Sequence, residues 1–414
     1  MTRHLIRLIW NRKRQNVLLT IEILCSFLVL FGIVIFALHF ALNAQQPLGF
    51  AIDRVWAIEM GRHAPEGSDD PRVAERAVAT RLMTALREMP QVEIAAGAFT
   101  APYAGATWES SLDLADGRKV QVRVNRVTDD FPRVFSMTMA AGRAFAREDD
   151  AAAGAPVLID RQLARQVFGD RDPIGQLLPE KRAGRHAPGP DEQPQQPRRV
   201  VGVFTEFRQH GEYSTPMATM FERVRLDDPS PAVGAPERLL IRVRPGTTAA
   251  FEPELVRRLQ REAPDWSFEV KTLESMRESF LKQYTTPLTV LAVVEGFLLL
   301  MVALGLTGVV WQSITQRLRE FGLRRAAGAP IRSVRGQVLA EMAVMTTFAL
   351  IVGVALIAQL PFLPLPQGVE IVPGEFVGAV ALSAAAIYCL TLACGWYPSR
   401  LAARMPPADA LRYE

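Results

Sequence analysis

The chain has 414 residues, 49% of them apolar and 22% charged, with a formal net charge of +4. These averages exclude a disordered chain, a collagen-like repeat and a disulfide-built miniprotein. They also conceal an uneven charge. Of 47 Lys and Arg residues, five lie in 3–14, six in 317–335 and three in 400–412, and the other 33 lie between 42 and 288. Long stretches without any cation separate these blocks, a pattern of membrane proteins.

In residues 1–16, Leu5, Ile6, Ile9 and Trp10 are interleaved with Arg3, Arg7, Arg12, Lys13 and Arg14. That pattern suits an amphipathic helix on the inner membrane surface. Residues 17–42 hold one charge, Glu22, and are otherwise almost wholly apolar. The run is too long for a signal-peptide core, so it is expected to be retained as a first transmembrane helix. Residues 288–314 hold only Glu295, 338–360 only Glu341, and 376–397 no charge. Each reaches the ~20 residues that cross a hydrocarbon core as a helix. The result is a polytopic α-helical membrane protein with four transmembrane helices.

Cytoplasmic flanks collect Lys and Arg. Residues 1–16, the 315–337 loop and the 398–414 tail carry the 14 cations outside the central segment, whereas the 361–375 loop carries none. The expected topology has both termini and the 315–337 loop cytoplasmic, with 43–287 and 361–375 outside. The 43–287 segment has 33 basic and 35 acidic residues, so no nucleic-acid surface is expected.

Within 43–287, residues 54–59 alternate as a strand, and 72–89 has helical spacing that Pro90 ends. Residues 92–99 suit a strand. Residues 111–114 and 118–127 flank Asp116-Gly117, a hairpin signal. A short strand at 156–159 precedes Asp160, which is placed to cap a helix running to Phe168. Segment 180–199 has four prolines and is expected to be a mobile loop. Strands follow at 199–204, 238–243 and 266–271, with an amphipathic helix at 248–262. A last helix, 272–284, leads into the second span. The mixture lacks strict βαβ alternation, so the domain is expected to be α+β, in two subdomains.

Candidate chemistry is sparse. Cys25, Cys389 and Cys394 all lie in spans, and His4, His39, His63, His186 and His210 have no ligand spacing. The one Lys followed by Ser or Thr is Lys271-Thr272, and it lacks the preceding glycines of a P-loop. No triad or paired-carboxylate motif assembles. The chain is therefore read as non-catalytic, with no catalytic, cofactor or metal residues of its own. Glu22, Glu295 and Glu341 are read as snorkelling or paired rather than as an ion path, and Gly296, Ala303, Gly305 and Gly308 offer small surfaces for helix packing.

In the 315–337 loop, Leu318 and Phe321 share a helix face with Arg317, Arg324 and Arg325 around it, and Gly322 and Gly328 allow a sharp turn. These residues alone leave open an ordinary positive-inside loop.

Residues 313–330 read SITQRLREFGLRRAAGAP, and 397–414 read YPSRLAARMPPADALRYE. Inside the central segment lie FPRVFSMTMAAGRAFAREDD (131–150), VLIDRQLARQVFGDRDPIGQLL (157–178) and RVVGVFTEFR (199–208). Together, in chain order, they resemble the motifs of MacB/FtsX-type ABC transporter permeases, with a MacB-like core domain in 43–287. Gln316 stands where that motif usually has Glu.

The resemblance implies a permease subunit coupled to a separate ABC ATPase. ATP and Mg would then belong to that partner, and no cofactor to this chain. It makes Leu318, Arg319, Glu320, Phe321, Gly322, Arg324, Arg325 and Gly328 the candidate ATPase-coupling residues. It implies the inner membrane and a second permease copy or a paralogous permease. For an exporter it further implies a periplasmic membrane-fusion adaptor and an outer-membrane channel. The expected function is export by mechanotransmission. The alternatives are an FtsX-like transducer of a cell-wall hydrolase or sensor, and a lipoprotein-release permease.

Overall fold

A computed structural model describes residues 13–61, 70–114, 116–151, 154–179, 197–213, 215–227, 234–316, 331–360 and 372–404. In chain order it begins with helix α1 (Lys13–Asn43), strand β1 (Val55–Gly61), helix α2 (Pro71–Arg87) and strand β2 (Val92–Ala98). Strands β3 (Trp108–Asp113) and β4 (Lys119–Val127), the single-turn helix α3 (Phe131–Val134), and strands β5 (Met139–Gly142) and β6 (Ala155–Asp160) follow. Next come helix α4 (Arg161–Phe168), strands β7 (Arg198–Phe204), β8 (Thr219–Arg223) and β9 (Arg238–Val243), helix α5 (Glu252–Glu262) and strand β10 (Ser267–Thr272). The chain continues as helices α6 (Leu273–Gln316), α7 (Ile331–Ile357) and α8 (Pro373–Arg404). It divides into two compact units, a sheet domain of Asn43–Gln283 and a helical unit of Met1–Leu42 with Tyr284–Glu414.

Among the described residues, four helices are long and apolar enough to cross a membrane: Leu19–Asn43, Leu273–Gln316, Val338–Ile357 and Pro373–Trp396. They pack through residues spaced by one helical turn. Ile23, Phe27 and Phe31 of α1 meet Val302, Leu306 and Val310 of α6 and Met342 and Leu350 of α7. Glycines set the closest approaches. A Cβ on Gly353 would lie 2.5 Å from the Phe27 ring, and one on Gly305 would lie 3.1 Å from the Glu22 carboxylate. Gly296 and Gly308 have no such neighbour within 4 Å among the described residues. Polar side chains join the helices as well. Ser26 donates to Glu295 at 2.8 Å, and His39 hydrogen-bonds Glu375 at 2.9 Å.

The sheet domain is built on one ten-stranded sheet, ordered β10-β1-β9-β2-β4-β8-β6-β7-β5, with β3 added beside β4. β4–β8 and β6–β7 are parallel, and the other pairs are antiparallel. The two halves of the sheet meet at a single residue pair, Ala98↔Val127. Period-2 alternation explains how both faces are covered. In β1, Trp56, Ile58 and Met60 face a cluster under α2 and α5, while Val55 and Ala57 face the opposite side. In β6, Val157 and Ile159 pack under α4, and Leu158 faces the opposite side.

That opposite side carries a shared aromatic cluster spanning both halves. Phe131, Phe135, Phe204, Phe207 and Phe221 stack or meet edge-on at 4.8–5.9 Å. Each fully buried phenyl contributes about 1.5–3 kcal/mol relative to exposure. The cluster thus holds the halves together where backbone pairing is minimal.

Local signals set the helix starts. Asp70 accepts from the Arg72 N–H at 2.9 Å and Pro71 opens α2. Asp160 accepts from the Leu163 N–H at 2.7 Å to start α4. Strands β5 and β8 and helix α3 carry no clear sequence signal. Strand β8 has five residues and is ordered by partners on both sides, parallel to β4 and antiparallel to β6.

Candidate functional site

The eight candidate coupling residues, Leu318, Arg319, Glu320, Phe321, Gly322, Arg324, Arg325 and Gly328, lie outside the described residues, as do 1–12, 180–196, 361–371 and 405–414. Among the described residues, no group of three or more His, Cys, Asp or Glu side chains is placed to hold a metal ion.

A buried polar cluster of the sheet domain forms around the segment that leaves β7. Arg208 is 2% exposed. Its guanidinium donates to the Asn43 carbonyl at 2.7 Å, to Asn43 Oδ1 at 3.1 Å and to the Glu212 carbonyl at 3.3 Å. Asn43 is the last residue of α1, so this guanidinium supplies a donor where a helix end exposes carbonyls. The Glu212 carboxylate accepts from Arg277 Nε at 2.6 Å and from the Tyr103 hydroxyl at 3.4 Å. Arg277 belongs to the first turns of α6. One short stretch, residues 208–212, therefore holds both the chain that follows the first span and the chain that precedes the second.

Apolar and polar neighbours fix this stretch in place. The Tyr103 ring meets Phe280 edge-on at 5.8 Å, and His210 stacks on Phe280 at 5.8 Å. Gln209 is 1% exposed and donates to Thr100 Oγ1 at 2.6 Å. The Arg208 N–H donates to the Leu48 carbonyl at 3.0 Å. Gly49 adopts φ +80°, and a Cβ there would fall 1.8 Å from the Glu206 carbonyl oxygen, so only glycine fits.

The electrostatics follow from burial. Desolvation lowers the Arg208 pKa, opposed by Glu206 and Glu212. The hydrogen bond to Glu212 raises Arg277. Burial, with the Glu212 charge beside it, raises Tyr103. Burial, followed by the nearby Arg123 charge, lowers His210 to about 4. The cluster thus sets an imidazole held neutral by burial beside hydrogen-bonded Arg, Glu and Tyr side chains. It has no nucleophile paired with a base and no open metal position. It joins Asn43 and Arg277 to residues 208–212 by hydrogen bonds.

Sequence reading missed this cluster. Arg208, Gln209, His210 and Glu212 look like an ordinary polar loop after an apolar strand. The available signal was the density of charged residues directly beside the β7 hydrophobic run.

The chain matches two families in tandem. Residues 24–258 match the MacB-like periplasmic core domain, and residues 292–407 match the FtsX-like permease C-terminal domain. This chain belongs to the MacB/FtsX-type family of ABC transporter permeases. It is a membrane protein with an extracytoplasmic domain. Among similar proteins is the Agrobacterium fabrum macrolide export ATP-binding/permease protein MacB, 27% identical over 307 residues, covering 70% of this chain and 43% of the relative. Another is Escherichia coli K12 MacB, 27% identical over 315 residues, covering 71% and 44%. The chain therefore spans less than half the length of the curated relatives it matches. The crystal structure of the periplasmic region of MacB from Actinobacillus actinomycetemcomitans aligns with a TM-score of 0.37 at 10% identity, over 57% of this chain and 96% of that one.

Proposed function

We propose that this permease couples ATP hydrolysis on a separate ABC ATPase to movement of its sheet domain, and so drives export by mechanotransmission. In this reading the sheet domain is periplasmic, and both termini and the 315–337 loop are cytoplasmic at the inner membrane. The permease works as a dimer, with a second copy or a paralogue. ATP and Mg are held by the ATPase. Phe321, on the Leu318 face, is the anchor that docks on it, positioned by Glu320, Arg324 and Arg325. A periplasmic adaptor and an outer-membrane channel complete the path.

The observation that carries this reading is the Arg208–Glu212 cluster. Arg208 grips Asn43, and Glu212 grips Arg277. In this reading a displacement of Asn43 or Arg277 reaches the sheet through these hydrogen bonds. Charge-assisted bonds of this kind are about twice as strong as neutral ones.

The test is a nucleotide-dependent distance measurement in lipid nanodiscs with the partner ATPase. Spin labels at Arg118→Cys in each copy report the separation of the two sheet domains. The expected result is a distance change on trapping ATP, with reduced amplitude in Glu212→Gln and Arg277→Gln at normal insertion and ATPase binding. A wild-type distance that ignores nucleotide would refute mechanotransmission. It would favour a transducer that signals by recruiting a partner instead.

A further inference from the structure

A second feature of the sheet domain is a cleft of about 390 Å³ between α4 and the segment that leaves β7. Five charged residues line it: Asp160, Arg161, Arg165, Glu206 and Arg208. Two of these are already committed. The Asp160 carboxylate accepts from the Leu163 and Thr219 N–H groups, and Arg208 is engaged with Asn43 and the Glu212 carbonyl. The remaining three, Arg161, Arg165 and Glu206, make no ion pair among the described residues.

Arg161 and Arg165 are exposed and stand four apart on α4, hence on one face. Like charges at that spacing destabilise a helix, and nothing described in the fold compensates them. Glu206 enters the same cleft from a different segment. The Glu206 charge acts on Arg208 without forming an ion pair, so the cleft carries charge of both signs within one small space. A simple dianion would meet Glu206, and a simple diamine would meet the arginine pair, so each is disfavoured by the opposite wall. A molecule with a carboxylate at one end and an ammonium at the other satisfies all three groups. The volume suits a small organic ligand.

From this arrangement we infer that the cleft is a binding site for a small zwitterionic amino acid-like ligand, its carboxylate held by Arg161 and Arg165 and its ammonium by Glu206. The occupant would rest on the stretch that Gly49 overlies and that continues into Arg208.

The test uses three probes with one carbon skeleton, 4-aminobutanoate, butanoate and butylamine, titrated into the purified full chain in detergent and followed by ligand-observed NMR. The expected result is saturable binding of 4-aminobutanoate, with butanoate and butylamine at least about tenfold weaker, since each loses a charge-assisted contact. Arg161→Gln with Arg165→Gln should weaken 4-aminobutanoate at least about tenfold, and Glu206→Gln should abolish its advantage over butanoate. Both arginines are exposed, so an unchanged thermal midpoint confirms folding of that variant. Absence of saturable binding overturns the inference, as does equal affinity for the three probes or undiminished binding by the double variant.

Discussion

Arg208 holds Asn43 by both its main chain and its side chain, with donor distances of 2.7 Å to the carbonyl and 3.1 Å to Oδ1. A buried guanidinium that closes a helix end in this way is costly to remove. Arg208→Ala strips donors from three buried acceptors and leaves a cavity among packed side chains. The domain is expected to lose about 3–5 kcal/mol, as for breaking a buried charged contact. Asn43→Ala keeps the main-chain acceptor and loses one charge-assisted hydrogen bond, so about 1.5–3 kcal/mol is expected. Chemical unfolding of the two variants, followed by tryptophan fluorescence, gives both values. Equal losses would show that the side-chain contact dominates.

Two buried titrating groups give opposite pH slopes. Burial pushes the Asp160 carboxyl up from its ordinary 3.8 to about 7, against the Leu163 and Thr219 N–H donors that lower it. The folded chain then binds that proton more tightly than the unfolded chain. Its contribution is complete below pH 3.8 and lost as pH rises through about 7. His210 is lowered from 6.5 to about 4 by burial and then by Arg123. Its contribution is present above pH 6.5 and lost as pH falls through about 4. The slopes therefore oppose each other between about 4 and 6.5. Thermal midpoints of His210→Asn should fall steadily as pH rises over that window, and those of Asp160→Asn should rise.

Two glycines with similar backbone angles separate strain from collision. Gly49 (φ +80°) has the Glu206 carbonyl oxygen where a Cβ would sit, whereas Gly105 (φ +75°) has nothing within 4 Å. Gly105→Ala should cost about 1–2 kcal/mol for the left-handed conformation alone. Gly49→Ala should cost more, about 3 kcal/mol or above, because main chain must also move. Thermal unfolding of the pair measures the difference, and equal midpoints would remove the special role of the Gly49 contact.

Phe321 is the proposed apolar anchor for the ATPase. Aromatic hot spots lose about 2 kcal/mol or more on truncation. Phe321→Ala should therefore weaken ATPase association by roughly 30-fold, at a factor of ten per ~1.4 kcal/mol. Membrane levels should stay normal, because the spans are untouched. If the loop acts only in setting topology, Arg324→Gln with Arg325→Gln perturbs orientation and Phe321→Ala does nothing. Pull-down of the ATPase with each variant distinguishes the two.

The amino-acid sequence determined whatever depends on neighbours along the chain. The four cation-free runs needed only length and hydropathy to be read as spans, because a helix crossing hydrocarbon satisfies its own backbone. Asp160 marked the start of α4, since a cap acts within three residues. The alternation in β1 was legible because successive side chains of a strand point to opposite faces. The tertiary structure decided what depends on distant segments. Strand β8 exists because β4 and β6 flank it, and the two half-sheets share one aromatic cluster although a single residue pair joins them. The Arg208 cluster is the clearest case: Arg208 and Asn43 are 165 residues apart, and Glu212 and Arg277 are 65 apart. No local spacing encodes those contacts. They arise because folding closes long loops, and the desolvation of each charge is repaid only when its partner arrives.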